Sequence, residues 1–316
     1  GADNSTHVAF GGEQLVYARR NAGGETWRAE EVDSGGVGAY CSVACDNAGR
    51  PYISYYDATN EDLKIARWDD LTARWEMGVV DAAGDVGRCS SLGFDGDWNP
   101  AISYHDATLG DLKYAAWSGS GWEIATVDGG AWVGEHSSLA FDGASRPRIS
   151  YFDAVSRDVK FAWWDGACWT AAVVDRSARV IHGTSLDLNG SGAAVMAYCD
   201  AAGDALRVAG GAGGDWNVEV VAAYPWAGRY SSLAFDASNR AAVSYYDPRQ
   251  GDLNLARWMD DRWEVETVDS NADTGRYTSL VFDGSGFPCI GYYEVSRGNL
   301  EYARWDGAAW LLEVVD

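Results

Sequence analysis

A chain of 316 residues with 47 acidic and 24 basic side chains carries a formal charge of −23. Such a surface repels phosphate backbones and anionic lipid, which sets nucleic acid and membrane aside as partners. Sixteen Trp and 17 Tyr against three Met, with 38 Gly, describe strands joined by tight turns, and no run reaches the roughly 18 apolar residues a membrane helix needs.

The first 36 residues hold three candidate strands: one around His7 to Phe10, then Gln14–Arg20 (QLVYARR) and Trp27–Asp33. From residue 37 a four-strand unit repeats. Its first strand reads SSLxFD and its second PxISYYD, as in Ser137 to Asp153, with a Gly/Asp/Ser turn between. The third reads DLKYARW (Asp62–Trp68, Asp111–Trp117, Asp158–Trp164, Asp252–Trp258, Asn299–Trp305). The fourth opens at a Trp (Trp75, Trp122, Trp169, Trp216, Trp263, Trp310) and mostly closes on Val-Asp. Polarity alternates with period two in these runs, and nothing keeps a helical period over ten residues.

Phe94, Phe141, Leu188, Phe235 and Phe282 are equivalent and stand 47 residues apart. A period in the forties built only of strands and turns predicts an all-β chain, a seven-bladed β-propeller in one domain over residues 1–316. The blades are expected at 1–36 (partial), 37–85, 86–132, 133–180, 181–226, 227–273 and 274–316. The fifth is degenerate, with Gly210-Gly211-Ala212-Gly213-Gly214 in place of its Trp-Asp-Gly turn. The first is a strand short. It is three-stranded, or a strand is lost at a terminus, or another chain donates one; a monomer is expected.

The order of turns resembles that of NHL-type and other bacterial propellers. The Trp-Asp-Gly-x-x-Trp turn loosely resembles the Asp-box turn of sialidase-type (BNR) propellers, but the full Ser-x-Asp-x-Gly-x-x-Trp pattern is absent, so sialidase activity is not implied. The resemblance is one of architecture and specifies no chemistry.

The six cysteines fall at unrelated points of the repeat, which is not a disulfide framework. Cys41 with Cys89 is the one pairing entertained, because both begin adjacent inner strands. No secretory leader is read in the sequence, and an extracytoplasmic location is the expectation.

A repeat supplies its own control. Residues present in every blade belong to the blade, while local departures are free for function. On this test Asp57, Asp106, Asp153, Asp200, Asp247 and Glu294 are structural, accepting backbone N–H bonds from the next turn, and the Trp residues opening the fourth strands pack blades together. Departures concentrate at one edge, around the axial opening. Entry to the inner strand carries Ala39-Tyr40, Arg88-Cys89, Glu135-His136, His182-Gly183, Arg229-Tyr230 and Arg276-Tyr277, and the end of the second strand carries Tyr56, His105, Phe152, Cys199, Tyr246 and Tyr293. Three of the four histidines fall in these two rings.

Two functions fit. In the first, Tyr40, Tyr56, Tyr230, Tyr246, Tyr277 and Tyr293 line an aromatic funnel, with Arg88, Glu135, His182, Arg229 and Arg276 as directional partners, and bind a carbohydrate or peptide at the axial face. In the second, His105, His136 and Tyr230 catalyse polysaccharide β-elimination, with arginine neutralising a uronate carboxylate. This parallels propeller lyases in residue type and fold only. A pure interaction scaffold is the third reading, in which His merely replaces Tyr or Arg. Cys89, His105, His136 and Glu135 are zinc ligands by type, but no CxxC or HxxxH spacing supports them, so no metal and no cofactor is expected. There is no G-x-S-x-G elbow and no phosphate-cradling loop.

Overall fold

A computed structural model describes residues 5–21, 24, 26–130, 132–176 and 180–316, with the side chains of 181 and 182 excepted. Among these residues the regular structure is 27 β-strands in seven antiparallel sheets, one of three strands and six of four. The sheets follow one another along the chain as the blades of a seven-bladed β-propeller. Blade 1 comprises β1 (Thr6–Gly11), β2 (Gln14–Arg20) and β3 (Arg28–Ser34). Blade 2 comprises β4 (Val37–Cys45), β5 (Pro51–Asp57), β6 (Asp62–Asp69) and β7 (Arg74–Asp81), and the later blades repeat it. Spatial proximity groups the residues into two compact units, 1–155 with 162–171 and 156–161 with 172–316.

Blade 1 has three strands, and its register shows which one it lacks. Val8 faces Ala18 as Ile53 faces Ala66, so β1 corresponds to the second strand β5, and the inner strand is the one without a counterpart. In blade 5 the glycine run still closes a hairpin. Ala212 pairs with Asp215 across Gly213 and Gly214, whose φ of +62° and +116° suit a two-residue turn that other residues adopt with strain.

Alternation along the second strand turns one tyrosine of each SYxD run into the core. Tyr55, Tyr104, Tyr151, Tyr198, Tyr245 and Tyr292 are fully buried. A buried hydroxyl needs a partner, and the Asp that closes the preceding blade supplies it. Tyr55 donates to Asp33 (2.7 Å), Tyr104 to Asp81 (2.7 Å) and Tyr151 to Asp128 (2.6 Å) in the first unit, and Tyr198 to Asp175 (2.6 Å) and Tyr292 to Asp269 (2.8 Å) in the second. A cation on the third strand then bridges two carboxylates. Lys113 lies 3.2 Å from Asp81 and 2.9 Å from Asp106, and Arg207 lies 3.6 Å from Asp175 and 2.9 Å from Asp200. At the entry to blade 6 both charges vanish together: Ala222 stands for the Asp and Asn254 for the Lys.

The acidic ring behaves as scaffold. Asp57 accepts the amides of Thr59 and Asn60, Asp106 those of Thr108 and Leu109, and Glu294 those of Ser296 and Arg297. The Trp residues pack edge-to-face within and between blades, as Trp75 does on Trp68 (5.6 Å) and on Tyr17 (4.9 Å).

The entertained Cys41–Cys89 disulfide is not formed, and all six cysteines are free thiols. The two are one residue out of step. Cys89 occupies the position of Tyr40, while Cys41 is equivalent to Ser90, and successive side chains of a strand point to opposite faces. Cys41 packs on the Leu15, Val37 and Tyr55 cluster, and burial pushes its thiol up to about 12.

Candidate functional site: the bulged strand entries

Each full blade enters its inner strand through a short motif, Val-Gly-x-Tyr in blade 2. The glycines Gly38, Gly87, Gly134, Gly228 and Gly275 have φ between +83° and +102°. A Cβ on Gly87 would sit 2.7 Å from the Cα of Leu63 in the preceding blade, and one on Gly134 would sit 2.7 Å from the Cα of Leu112. The chain passes too close to its neighbour for any side chain.

Two residues later the backbone is left-handed again, now without glycine. Tyr40, Cys89, His136, Tyr230 and Tyr277 have φ of 53°, 54°, 54°, 56° and 54°. The ladder breaks at each of them, for instance between Arg88 and Ser91 and between Arg229 and Ser232. A left-handed non-glycine residue costs about 1–2 kcal/mol, and a bulge re-aims the side chain it carries. Here it leaves Tyr40 49 % and Tyr277 67 % exposed. Blade 5 has Gly183 at the bulge, and the predicted site residue His182 lies outside the described residues.

The preceding residue of the motif faces the end of the second strand: Ala39 pairs with Tyr56, Arg88 with His105, Glu135 with Phe152, Arg229 with Tyr246 and Arg276 with Tyr293. The two predicted rings therefore meet within each of these five blades at one end of the strands.

A recurrent triad locks this edge. In the first unit Tyr56 donates to Asp85 (2.8 Å), and Arg88 binds both Asp85 oxygens at 3.0 and 2.5 Å while lying 5.4 Å over the Tyr56 ring. In the second unit Tyr246 donates to Asp273 (2.7 Å), and Arg276 binds Asp273 at 3.0 Å and lies 5.5 Å over Tyr246. Arg88 and Arg276, expected as directional partners, thus have their charges neutralised by the scaffold.

The other junctions do not keep the triad, and at two of them a Trp stands in place of its Asp. Between blades 3 and 4, His105 replaces the Tyr, Trp132 the Asp and Glu135 the Arg. The His105 and Trp132 rings stack at 6.1 Å and 29°, and Trp132 is 52 % exposed at a φ of 61°. His105 is buried, and its Nδ1 lies 2.8 Å from the Val133 carbonyl, an acceptor only, so Nδ1 carries the proton. Nearby, Cys89 Sγ is 3.8 Å from His136 Nδ1. Burial pushes the Cys89 thiol up to about 11. Burial also holds His136 below the usual imidazole range, with Glu135 pulling the other way. Between blades 5 and 6, Cys199 replaces the Tyr and Trp226 the Asp, and Arg229 stacks 3.9 Å over the Trp226 ring. Tyr230 packs on Tyr277 at 4.4 Å and on Tyr246 at 6.4 Å, and burial with its Tyr277 neighbour pushes its hydroxyl up to about 12.

In the first unit the structure thus gathers Tyr40, Tyr56, Arg88, Cys89, His105, Glu135 and His136, and in the second Arg229, Tyr230, Tyr246, Arg276, Tyr277 and the half-buried Tyr293. Among the described residues no group of three or more His, Cys, Asp or Glu is placed to hold a metal ion. Sequence reasoning missed Trp132 and Trp226. The signal was available: each stands three residues before the variable position of its motif, where Asp85 and Asp273 stand in blades 3 and 7. A separate cavity of about 340 Å³, lined by Tyr17, Arg28, Glu30, Pro51 and Trp68 among others, lies at the opposite end of the strands in the first unit.

No family model and no curated protein matches the chain. Solved structures match its fold at low identity. The lectin of Aleuria aurantia in complex with Fucα1-6GlcNAc is 15 % identical, with a TM-score of 0.61 over 87 % of this chain and 94 % of that one. A polysaccharide lyase, an ulvan lyase, is 12 % identical, with a TM-score of 0.66 over 98 % and 92 %. A 6-phosphogluconolactonase-like protein from Bacteroides fragilis is 10 % identical, with a TM-score of 0.65 over 99 % and 93 %. At these identities the likeness is one of fold, that of propeller lectins and propeller enzymes alike.

Proposed function

We propose that this protein is a carbohydrate-binding propeller whose ligand lies against a bulged strand entry. The observation that carries the reading is the strained, left-handed placement of exposed aromatic rings, Tyr40 in the first unit and Tyr277 in the second, at equivalent positions of the repeat. Each ring touches one neighbour, Tyr56 for Tyr40 and Tyr230 for Tyr277, and still leaves about half or more of its residue's surface in solvent at a strained positive φ. Such a ring suits the apolar face of a pyranose, with its hydroxyl free to hydrogen-bond. The comparison with a sugar-complexed lectin of similar fold supports the same reading by analogy.

Binding is favoured over polysaccharide elimination. Arginines that neutralise a uronate must be free to do so, and Arg88 and Arg276 already bind Asp85 and Asp273. A tyrosine base needs a lowered pKa, whereas Tyr230 is pushed up to about 12.

Isothermal titration with neutral oligosaccharides tests the proposal. Tyr40→Ala and Tyr277→Ala are each expected to weaken binding several-fold, near the contribution of about 1 kcal/mol from one aromatic platform, without a change in melting temperature. Turnover of a uronate polymer to an unsaturated product by the wild-type chain would overturn it in favour of a lyase.

A further inference from the structure

The geometry points to the junction of blades 3 and 4 as a specificity subsite for a 2-acetamido sugar, an inference that rests on the carbohydrate reading above. The repeat again provides the control. At this junction the scaffold triad is replaced outright: His105 for Tyr, Trp132 for Asp and Glu135 for Arg. The change extends to the flanking turns. Val133 N donates to Gly110 O (2.9 Å) and Ala154 N to Trp132 O (3.0 Å), which brackets Trp132 between the turns carrying Leu109 and Val155. These side chains are 64 % and 67 % exposed. In blade 2 the same turn is Thr59-Asn60, and in blade 6 it is Arg249-Gln250. Trp132 thus keeps about half of its surface in solvent, between two turns that each expose an aliphatic side chain.

A second, independent feature is polar. In the intact triads the second-strand side chain is satisfied by the Asp carboxylate, at 2.8 Å for Tyr56 and 2.7 Å for Tyr246. His105 has no such partner. Its Nδ1–H is used on Val133 O, so Nε2 is an acceptor, and that nitrogen is buried with no hydrogen-bond partner. The buried imidazole stacks against Trp132 and is 2 % exposed.

These features specify a ligand. The exposed indole calls for a ring with an apolar face. Leu109 and Val155, exposed on the two turns that bracket Trp132, call for a small apolar substituent. The unpartnered Nε2 calls for an N–H or O–H donor. Glu135, standing where blades 3, 6 and 7 have Arg, accepts hydroxyl donors and repels carboxylate or sulfate. A 2-acetamido-2-deoxyhexose combines ring face, methyl group, amide N–H and neutral charge. Its 2-hydroxyl parent lacks the methyl and the amide.

The test is titration calorimetry on the full chain with N-acetylglucosamine and N-acetylgalactosamine oligosaccharides against their glucose and galactose counterparts. Wild type is expected to prefer the acetamido sugars by about tenfold or more. Trp132→Ala and, as a second variant on an exposed turn, Leu109→Asp should abolish that preference while the melting temperature holds. His105→Phe, which keeps a ring against Trp132 and removes both Nε2 and the Nδ1–H bond to Val133 O, should reduce it. Equal affinity of wild type for acetamido and parent sugars overturns the subsite, as does an unchanged preference in Trp132→Ala. Binding that weakens several-fold in Tyr40→Ala and Tyr277→Ala, with an acetamido preference unchanged in Trp132→Ala, overturns the subsite alone. Absence of binding to any glycan overturns both the subsite and the carbohydrate reading.

Discussion

Position 301 shows how one residue can break a rule that its blade otherwise keeps. Lys64 and Lys113 each sit between two carboxylates on the third strand of their blades. Glu301 takes that position in blade 7, buried beside Asp269 and Glu294. Burial, with both carboxylates adding to it, holds the Glu301 carboxyl above its ordinary range, while Tyr292 and Arg297 pull it down. An acid whose folded pKa is raised favours the native state at low pH, and that contribution is lost as pH rises through the raised value. Glu301→Lys is therefore expected to stabilise the protein by about 0.5–2 kcal/mol at neutral pH. Glu301→Gln should raise the melting temperature at pH 7 by an amount that shrinks toward zero as pH falls below the carboxylate range. Thermal denaturation across pH checks both, and a Glu301→Gln advantage that grows on acidification would contradict the assignment. The complementary change is Lys113→Met, which leaves Asp81 and Asp106 buried without their cation. It should destabilise by about 3–5 kcal/mol, read from chemical denaturation.

At the scale of the element, the inner-strand entry joins scaffold to site. Its glycine is required by the approach of the preceding blade, so Gly134→Ala, at a φ of 90° and 2.7 Å from Leu112 Cα, should destabilise by more than about 1 kcal/mol. A change within a few tenths of that of an exposed-strand control would show that the neighbour gives way. The strands themselves were legible in the sequence because alternation and the 47-residue step are properties of residue order. The bulge was not, because Tyr40, Cys89 and His136 are residue types at home in an extended strand, and a period-two reading carries no sign of a positive φ. The two rings of candidate residues were readable by aligning the copies. Trp132 and Trp226 align with Asp85 and Asp273 but were missed, since they fall in the linkers between blades, where attention goes to strands. Their role appears only once Asp85 and Asp273 are seen bonded to Tyr56 and Tyr246.

The molecule as a whole is a repeated interlock with a few local exceptions. Buried Tyr–Asp bonds and bridging cations recur blade after blade, which is why the fold could be read from the chain while the function could not: the regular features hold the blades, and only the irregular ones are available for a ligand. The formal charge of −23 sets the character of that ligand. With Arg88 and Arg276 neutralised in place, affinity for a neutral glycan should change by less than about twofold between low and high salt, since little of it is screenable. A steep fall with salt would indicate an anionic ligand instead. The most direct measurement is a crystal structure of the full chain with a bound neutral oligosaccharide. The account predicts the sugar against the bulged strand entries, in contact with Tyr40, Trp132 or Tyr277. Sugar bound instead in the cavity of Tyr17, Pro51 and Trp68 at the opposite end of the strands, with those rings bare, would contradict it.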